Sequence, residues 1–341
     1  MLPKEVGFIV DYEPNPLLDT VFRDLEGYEN VYCVTEPFDG NLLRRLLKKR
    51  KIQRLTGGHL NFLVNKHFAL YHKLTEIVNR YEQIVVLFTN YSFCNTQMPA
   101  GALKTYKKKW PNLQYVLYYY DSIRQGASIC ANYVREKDVF DACYTFDATD
   151  AQLYGLNHWW SLYSRIENIV HTLPTNDLYF CGQGFNRIPL IASLLEHALE
   201  QHVSFDMHIA NIEEGVHSDA LQYPNVHVLE KGTRISYPES LAHCVQARCI
   251  LEISNPRHNG LTLRPFEAVC YNRKLLTNNK AIFSFPYYDS RYMHYFEKVE
   301  DIDWNWVKED IEVNYHYNGE FSPIHLLEDI VKNTGEMRNG A

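Results

Sequence analysis

Residues 248–279, RCILEISNPRHNGLTLRPFEAVCYNRKLLTNN, contain two short apolar runs that flank an amphipathic segment. The runs at 248–254 and 274–279 have the length and aliphatic content of buried strands. Between them, residues 261–272 show helical spacing, and the loop NPRHNG (255–260) precedes this helix. A strand, a helix and a second strand in this order predict neighbouring parallel strands of an α/β sheet.

The same alternation continues along the whole chain in two runs that break near residue 170. Short apolar runs predict strands at 5–12, 29–34, 83–89, 113–120 and 142–146, and then at 177–182, 204–211, 225–230, 248–254 and 274–279. Helical spacing predicts helices at 41–50, 62–81, 101–110, 128–139, 187–202, 237–246, 261–272 and 322–334. We therefore expect an α/β protein with two Rossmann-like domains, 1–170 and 171–341, facing a cleft, and a C-terminal helix that packs back.

Composition narrows the class of protein. A chain of 341 residues has room for two domains, and 46% hydrophobic residues suffice for two cores. The net charge of −7 argues against a nucleic-acid partner. No signal-peptide pattern and no apolar run near the ~20 residues of a membrane span are present, and the eight cysteines form no C-x-x-C pair. These features predict a cytoplasmic protein.

Polar residues around the 255–260 loop are candidates for a ligand site, because ligands of open parallel sheets bind beyond the carboxyl ends of strands. Gly260 lets the backbone approach a ligand closely. Thr262 and Arg264 lie near the start of the following helix, where free N–H groups and the dipole attract phosphate. Glu267 lies further along the helix, where its carboxylate can accept both hydroxyls of a ribose.

Residues 260–276 carry a family resemblance. The order Gly-Leu-Thr-Leu-Arg-Pro-Phe-Glu-Ala, followed after three residues by Asn-Arg-Lys-Leu-Leu, resembles the donor signature of GT-B glycosyltransferases. Many of these enzymes have a Glu, seven residues and a second Glu. By this resemblance Glu267 is the second Glu, which holds the ribose. Asn259 replaces the first Glu, which contacts the donor sugar in retaining families, and this departure speaks against a retaining mechanism.

The resemblance covers about residues 177–280. The sequence of its signature is most similar to that of transferases of bacterial capsule, O-antigen and exopolysaccharide synthesis. Residues 177–199 resemble the first strand, loop and helix of the GT-B C-terminal domain, where a basic residue faces the diphosphate. Arg187 occupies that position. In the part that resembles the base-binding strand, Lys231 or Arg234 is expected to bind phosphate or to line the base pocket.

The function that this resemblance implies is metal-independent transfer of a hexose. A nucleotide-sugar donor, with a UDP-sugar expected, would give its sugar to a polysaccharide or lipid-linked glycan acceptor. The nucleotide sugar is a substrate, so no cofactor is expected. Two alternatives stay open: a sugar-nucleotide epimerase on the same fold, and a non-catalytic GT-B-like partner subunit.

An inverting transferase needs a general base, which we expect at the carboxyl end of a strand in the N-terminal domain. Asp121 is the first candidate, and Asp11 and Asp147 are its rivals. Each of these aspartates can equally be a helix cap. His59, in the glycine-containing loop TGGHLN, is a further candidate.

Two charged segments have both a functional and an ordinary interpretation. Asp301-Ile302-Asp303 has the D-x-D form of a metal motif, but it lies after both α/β runs, and we interpret it as surface acid. The histidines show no zinc-type spacing, so we expect no metal. The run RRLLKKRKIQR (44–54) is either a solvated helix face or a patch that contacts anionic lipid on the inner face of the plasma membrane.

Overall fold

The computed structural model describes residues 1–34, 66–95, 100–123, 137–169, 172–212, 221–230, 233, 235–254 and 260–339. The chain divides into two compact units. Unit 1 consists of Met1–Ser164 with Ser322–Ala341, and unit 2 is Arg165–Phe321. Each unit contains a six-stranded sheet whose paired strands all run parallel. The predicted fold class, two Rossmann-like α/β sheets, is confirmed.

The strands and helices follow the chain in this order. The strands are β1 (Val6–Asp11), β2 (Val31–Val34), β3 (Gln83–Thr89), β4 (Leu113–Tyr119), β5 (Ala142–Thr145), β6 (Asn157–His158), β7 (Leu178–Gln183), β8 (Phe205–Ala210), β9 (Val226–Val228), β10 (Cys249–Glu252), β11 (Lys274–Thr277) and β12 (Met293–Tyr295). The described α-helices are α1 (Pro16–Val21), α2 (Lys66–Ile77), α3 (Asn90–Asn95), α4 (Ala100–Lys109), α5 (Ala148–Tyr154), α6 (Ile188–Glu200), α7 (Tyr237–Gln246), α8 (Leu263–Cys270), α9 (Trp304–Lys308) and α10 (Pro323–Asn339). Of these helices, none is long and apolar enough to cross a membrane.

The strands that are buried along their whole length all lie inside the sheets and not at their edges. Unit 1 has the order β2-β1-β3-β4-β5-β6, and unit 2 has the order β12-β11-β10-β7-β8-β9. Every residue of β1, β4, β8, β10 and β11 is buried. Strands covered on both faces read as largely apolar runs rather than as alternating ones, which is why the sequence located them, although β8 also carries Asp206 and His208. The short strands β6 and β12 have no such run and were missed.

The C-terminal helix packs back as predicted, but the domain to which it was assigned needs correction. The predicted boundary placed residues 322–341 in the second domain, whereas they join unit 1. Leu326, Leu327 and Ile330 of α10 are fully buried in a cluster with apolar residues of β1 and α1. The apolar face of α10 completes the core of unit 1. A boundary predicted from residue order cannot reveal this contact, because α10 is far along the chain from the strands on which it packs.

A buried lysine attaches α9 to the sheet of unit 2. Lys274, the first residue of β11, is 1% exposed. Its Nζ donates hydrogen bonds to the carbonyl oxygens of Trp306 at 2.5 Å, Val307 at 3.0 Å and Glu309 at 2.5 Å. The last carbonyls of a helix lack partners within that helix, and here one ammonium group binds three of them. Burial lowers the pKa of Lys274.

We predict that Lys274→Met will destabilise unit 2. Methionine keeps the apolar stem but leaves three carbonyls without their donor, so the free energy of unfolding should fall by about 1–3 kcal/mol. Urea denaturation measures this change, and hydrogen exchange in peptides spanning 293–309 should locate it. The control is Lys280→Met, whose ammonium is solvent-exposed beside Glu297 and should change stability by less than about 0.5 kcal/mol. Equal effects of the two substitutions would contradict the prediction.

Candidate functional site

The carboxyl edge of the unit 2 sheet gathers the residues that the sequence singled out. Strands β7, β10 and β11 are neighbours in the sheet and run parallel. Their carboxyl ends therefore open towards the same edge, where ligands of such sheets bind. Arg187 follows β7, Glu252 ends β10, and Thr277 ends β11. Thr262 caps the N-terminus of α8, the helix that follows β10.

Glu252 is a site residue that the sequence interpretation missed. It is 1% exposed. Its Oε1 accepts hydrogen bonds from the hydroxyl of Thr262 at 2.7 Å and from the N–H of Thr262 at 3.3 Å. Its Oε2 accepts from the hydroxyl of Thr277 at 2.6 Å. The N-terminus of α8 thus already holds a carboxylate of the chain itself, at the place where we expected a phosphate near Thr262. The sequence feature that could have identified Glu252 is its position as an acidic residue at the end of an apolar strand.

Glu267 lies in α8 and is completely buried. Its Oε1 accepts from the hydroxyl of Tyr237 at 2.9 Å. Its Oε2 accepts from Nη1 of Arg264 at 2.5 Å and from Sγ of Cys244 at 3.9 Å. In this arrangement the carboxylate presents no exposed surface, so binding of a ribose would have to displace one of these partners. The ribose role of Glu267 stays a prediction.

The guanidinium of Arg264 makes its contacts inside unit 2. Besides the bond to Glu267, its Nη2 donates to the carbonyl of Cys181 at 3.0 Å, and the guanidinium lies 5.8 Å from the ring centroid of Tyr179. Burial is the largest single effect and lowers the pKa of Arg264. The Glu267 carboxylate, with smaller contributions from Tyr179, Cys181 and Cys244, more than offsets it, so the pKa lies well above its usual value. Arg264 therefore links α8 to β7.

Arg187 differs from Arg264 in its partners. Its side chain is half-buried, and its Nη1 lies 3.5 Å from the carbonyl oxygen of Gln183. Among the described residues it makes no other side-chain hydrogen bond and no ion pair. Burial lowers the pKa of Arg187, while the negative charge of Glu252 opposes that effect. The guanidinium retains donors for an anion, at the edge where the sequence placed a diphosphate.

The turn from β7 into α6 is tight and carries an exposed aromatic ring. A Cβ at Gly184 would lie 2.8 Å from Cδ1 of Ile188, so a larger residue does not fit without movement. Phe185 follows with a φ of 31°, a conformation that costs energy for a bulky residue, and it is 43% exposed. Among the described residues, no side chain caps the first turn of α6. The turn therefore places the uncapped first turn of α6 and the ring of Phe185 next to Arg187 in the chain.

Two consecutive asparagines after β11 hold both ends of the loop that follows β10. The Oδ1 of Asn278 accepts from the N–H of Ser254 at 2.7 Å. The Nδ2 of Asn279 donates to the carbonyl of Gly260 at 3.1 Å. Gly260 is buried, and its carbonyl serves this structural bond. The loop residues between them, including Asn259, lie outside the described residues, as does Lys231.

In unit 1, two of the predicted bases lie at the carboxyl edge of the sheet. Asp11 ends β1, is completely buried, and accepts a hydrogen bond from the hydroxyl of Ser92. Asp121 follows β4, is half-buried, and accepts from the hydroxyl of Tyr91 at 3.0 Å and from the N–H of Ser122 at 2.9 Å. Asp121 is thus the more accessible of the two. His59 and the basic run 44–54 lie outside the described residues.

Three other aspartates have the ordinary role of capping. Asp147 caps α5 by accepting from the N–H groups of the second and third residues after it, at 2.8 and 3.1 Å. In the D-x-D sequence, Asp303 caps α9 in the same way, at 3.0 and 3.1 Å. Asp301 accepts from the N–H of Lys298 at 3.0 Å. Both carboxylates of the D-x-D sequence are therefore used by the backbone.

Comparisons with known proteins extend only to the fold. No protein-family model and no curated protein matches the sequence. Among solved structures, the UDP-GlcNAc 2-epimerase from Methanocaldococcus jannaschii aligns over 97% of this chain and 99% of its own, with 12% identity and a TM-score of 0.48. A UDP-forming trehalose-phosphate synthase from Burkholderia xenovorans aligns over 90% and 93%, with 9% identity and a TM-score of 0.47.

The protein TarM aligns over 73% of this chain with 13% identity and a TM-score of 0.44. The aligned part spans about half of TarM, 52% of its chain. At these identities and scores the likenesses concern architecture, and they do not transfer any activity to this chain. The chemistry of the site has to be argued from its own residues.

We predict that Glu252→Gln will loosen the start of α8. The amide nitrogen of glutamine cannot accept a hydrogen bond, so either Thr262 or Thr277 loses its acceptor, at a cost of about 1–3 kcal/mol in the free energy of unfolding. Hydrogen exchange in peptides spanning 249–270 should increase. Glu196→Gln on the exposed face of α6 is the control. Unchanged exchange in the Glu252 variant would show that the three-residue network does not hold the helix.

Proposed function

We propose that the chain is a glycosyltransferase that binds the diphosphate of a nucleotide-sugar donor at the carboxyl edge of the unit 2 sheet. The donor is a UDP-sugar, and the acceptor is a polysaccharide or lipid-linked glycan. The resemblance of residues 177–280 to the GT-B donor region motivates the class of reaction. The geometry around Arg187 supports the position of the donor.

The observation that carries the proposal is the difference between two arginines at the same edge. Arg264 has its carboxylate, its carbonyl and its aromatic neighbour within the fold. Arg187 is half-buried and has only a long bond to a carbonyl among the described residues. A partly buried cation that makes no ion pair loses part of its hydration, and an anionic ligand offsets that loss. A diphosphate presents the oxygen atoms that a guanidinium binds best.

Each residue at the edge then has a defined role in transfer. Arg187 binds the diphosphate and stabilises the negative charge that develops on it as the sugar leaves. Phe185 offers an exposed ring beside it. Glu252 and Thr262 hold the start of α8 in place and are not themselves donor ligands. Asp121, the first candidate from the sequence, is the proposed general base for the acceptor hydroxyl.

We predict that Arg187→Gln will weaken donor binding by at least about tenfold, since a charge-assisted pair contributes roughly 1.5–3 kcal/mol. Calorimetry with UDP-, GDP-, CDP- and dTDP-sugars measures the affinity. Arg291→Gln is the matched control, because Arg291 is exposed and paired with Asp289, and it should bind donor like the wild type. Glu267→Ala is a poor probe here, because Glu267 is buried and its loss should lower stability as well.

Activity assays separate the proposed reaction from its rivals. With the bound donor and a panel of glycan acceptors, transfer of the sugar supports a glycosyltransferase. Conversion of the sugar nucleotide without acceptor would instead establish an epimerase. Binding without turnover on any acceptor would favour a non-catalytic partner subunit. Failure of every sugar nucleotide to bind the wild type would overturn the donor site itself.

A further inference from the structure

One face of the unit 2 sheet carries a cluster of metal-ligand residues away from the proposed donor edge. Asp206 and His208 lie two residues apart on β8, so their side chains point to the same face. His227 on β9 is directly opposite His208 in the parallel register. His243 lies in α7, the helix that places its side chain over them. Three separate elements thus contribute side chains to one place.

The distances among Asp206, His208 and His243 are those of potential ligands to one ion, and His227 lies further out. The ligand atoms of Asp206, His208 and His243 all lie within 4.8 Å of one another. Nε2 of His208 is 2.9 Å from Oδ1 of Asp206, and Nδ1 of His243 is 2.5 Å from Oδ2. Nε2 of His227 is 4.0 Å from Oδ1. In a tetrahedral zinc site with bonds of about 2.0–2.1 Å, ligand atoms lie about 3.3 Å apart.

Hydrogen bonding within the cluster leaves one buried nitrogen atom unexplained. Nε2 of His208 is buried and has no hydrogen-bond partner among the described residues. It lies 2.9 Å from Oδ1 of Asp206, a distance at which the two atoms can form an ion pair or bind one metal ion together. Buried polar atoms nearly always have a partner, and an unsatisfied one requires an explanation such as a bound water or ion. A metal ion between His208 and Asp206 would use the lone pair of Nε2.

The rings around Asp206 are also held in position. The ring of His208 lies 4.7 Å, centroid to centroid, from both His227 and His243. His243 stacks on Tyr179 at 5.9 Å with an interplanar angle of 13°. The hydroxyl of Tyr179 is in turn hydrogen-bonded to Ser240 at 2.9 Å. Metal-binding imidazoles are typically oriented by such outer contacts, which reduce the entropy lost on binding.

Exposure shows how an ion would reach the cluster. The side chains of His208, Asp206 and His243 are only 9%, 12% and 16% exposed, whereas that of His227 is 51% exposed. Strand β9 is the last strand of the sheet. An ion can therefore enter at the sheet edge past His227, which then closes the coordination shell.

We propose that Asp206, His208, His227 and His243 bind one zinc ion. Three imidazole nitrogens and one carboxylate oxygen match the nitrogen and oxygen ligands and the four-coordination of zinc, whereas magnesium and calcium prefer oxygen ligands. The ion links α7 to β8 and β9. Since α7 also carries Tyr237, which binds Glu267, zinc stabilises the helix that covers the second buried carboxylate of unit 2.

The test uses the full-length chain after treatment with a chelator and its removal. Zinc content by mass spectrometry and competition with a chromogenic chelator should give one Zn²⁺ per chain. Zinc should also raise the thermal midpoint. Cobalt should give the visible absorption of a four-coordinate ion without thiolate charge-transfer bands. Absence of stoichiometric zinc, binding of Mg²⁺ as tight as that of Zn²⁺, or thiolate bands would overturn the proposal.

Variants assign the ligands. His208→Gln and His243→Gln should each weaken zinc binding by more than the roughly 10–100-fold that is typical of outer-contact changes. His197→Gln on α6, whose ring binds only its own helix at Ser193, is the control and should bind zinc normally. If circular dichroism shows that the two buried variants do not fold, the variant of the exposed ligand, His227→Gln, tests the site instead. It should weaken zinc binding at least about tenfold, and wild-type affinity in that variant would overturn the four-ligand site.

Discussion

The burial of two carboxylates, Glu252 and Glu267, is the constraint around which the carboxyl edge of unit 2 is organised. A buried carboxylate is tolerated only when hydrogen bonds or opposite charges replace the water that it loses. Glu252 obtains its partners from Thr262 and Thr277, and Glu267 obtains them from Tyr237 and Arg264. These four partners lie on or beside α7, α8 and β11. Satisfying two charges therefore fixes the position of two helices against the sheet.

That requirement also determines which polar residues are left for a ligand. Arg264 lies near the start of α8, where a phosphate-binding residue would lie. Its Nη1 and Nη2 groups, however, already donate hydrogen bonds to Glu267 and to the carbonyl of Cys181. The N-terminus of α8 is likewise satisfied by Glu252 through Thr262. Arg187 precedes α6 and lies outside both networks. Among the described arginines near this edge, the proposed donor site thus depends on Arg187, which hydrogen-bonds to neither buried carboxylate.

The two clusters of unit 2 share a connection through Tyr179. One neighbour of its ring is the Arg264 guanidinium, and another is the imidazole of His243. Its hydroxyl binds Ser240 of α7. Packed rings and α7 therefore join the cluster around Asp206 to the Arg264–Glu267 pair.

The amino-acid sequence by itself determined the α/β class, the central strands and much of the helix pattern. Helix 237–246 was predicted at the residues where α7 lies, because apolar spacing is a local signal. The Ser236 cap and the proline in the first turn, which the structure shows, are local features as well. The same local logic placed Asp11 and Asp121 at the carboxyl ends of strands, whereas Arg187 was selected by the family resemblance. Tertiary structure decided what local spacing cannot encode: that α10 joins unit 1, that Glu252 occupies the start of α8, and that Asp206, His208, His227 and His243 meet. Each of these depends on a contact between elements distant in the chain, where the energy of burying charge and apolar surface, rather than residue order, selects the partner.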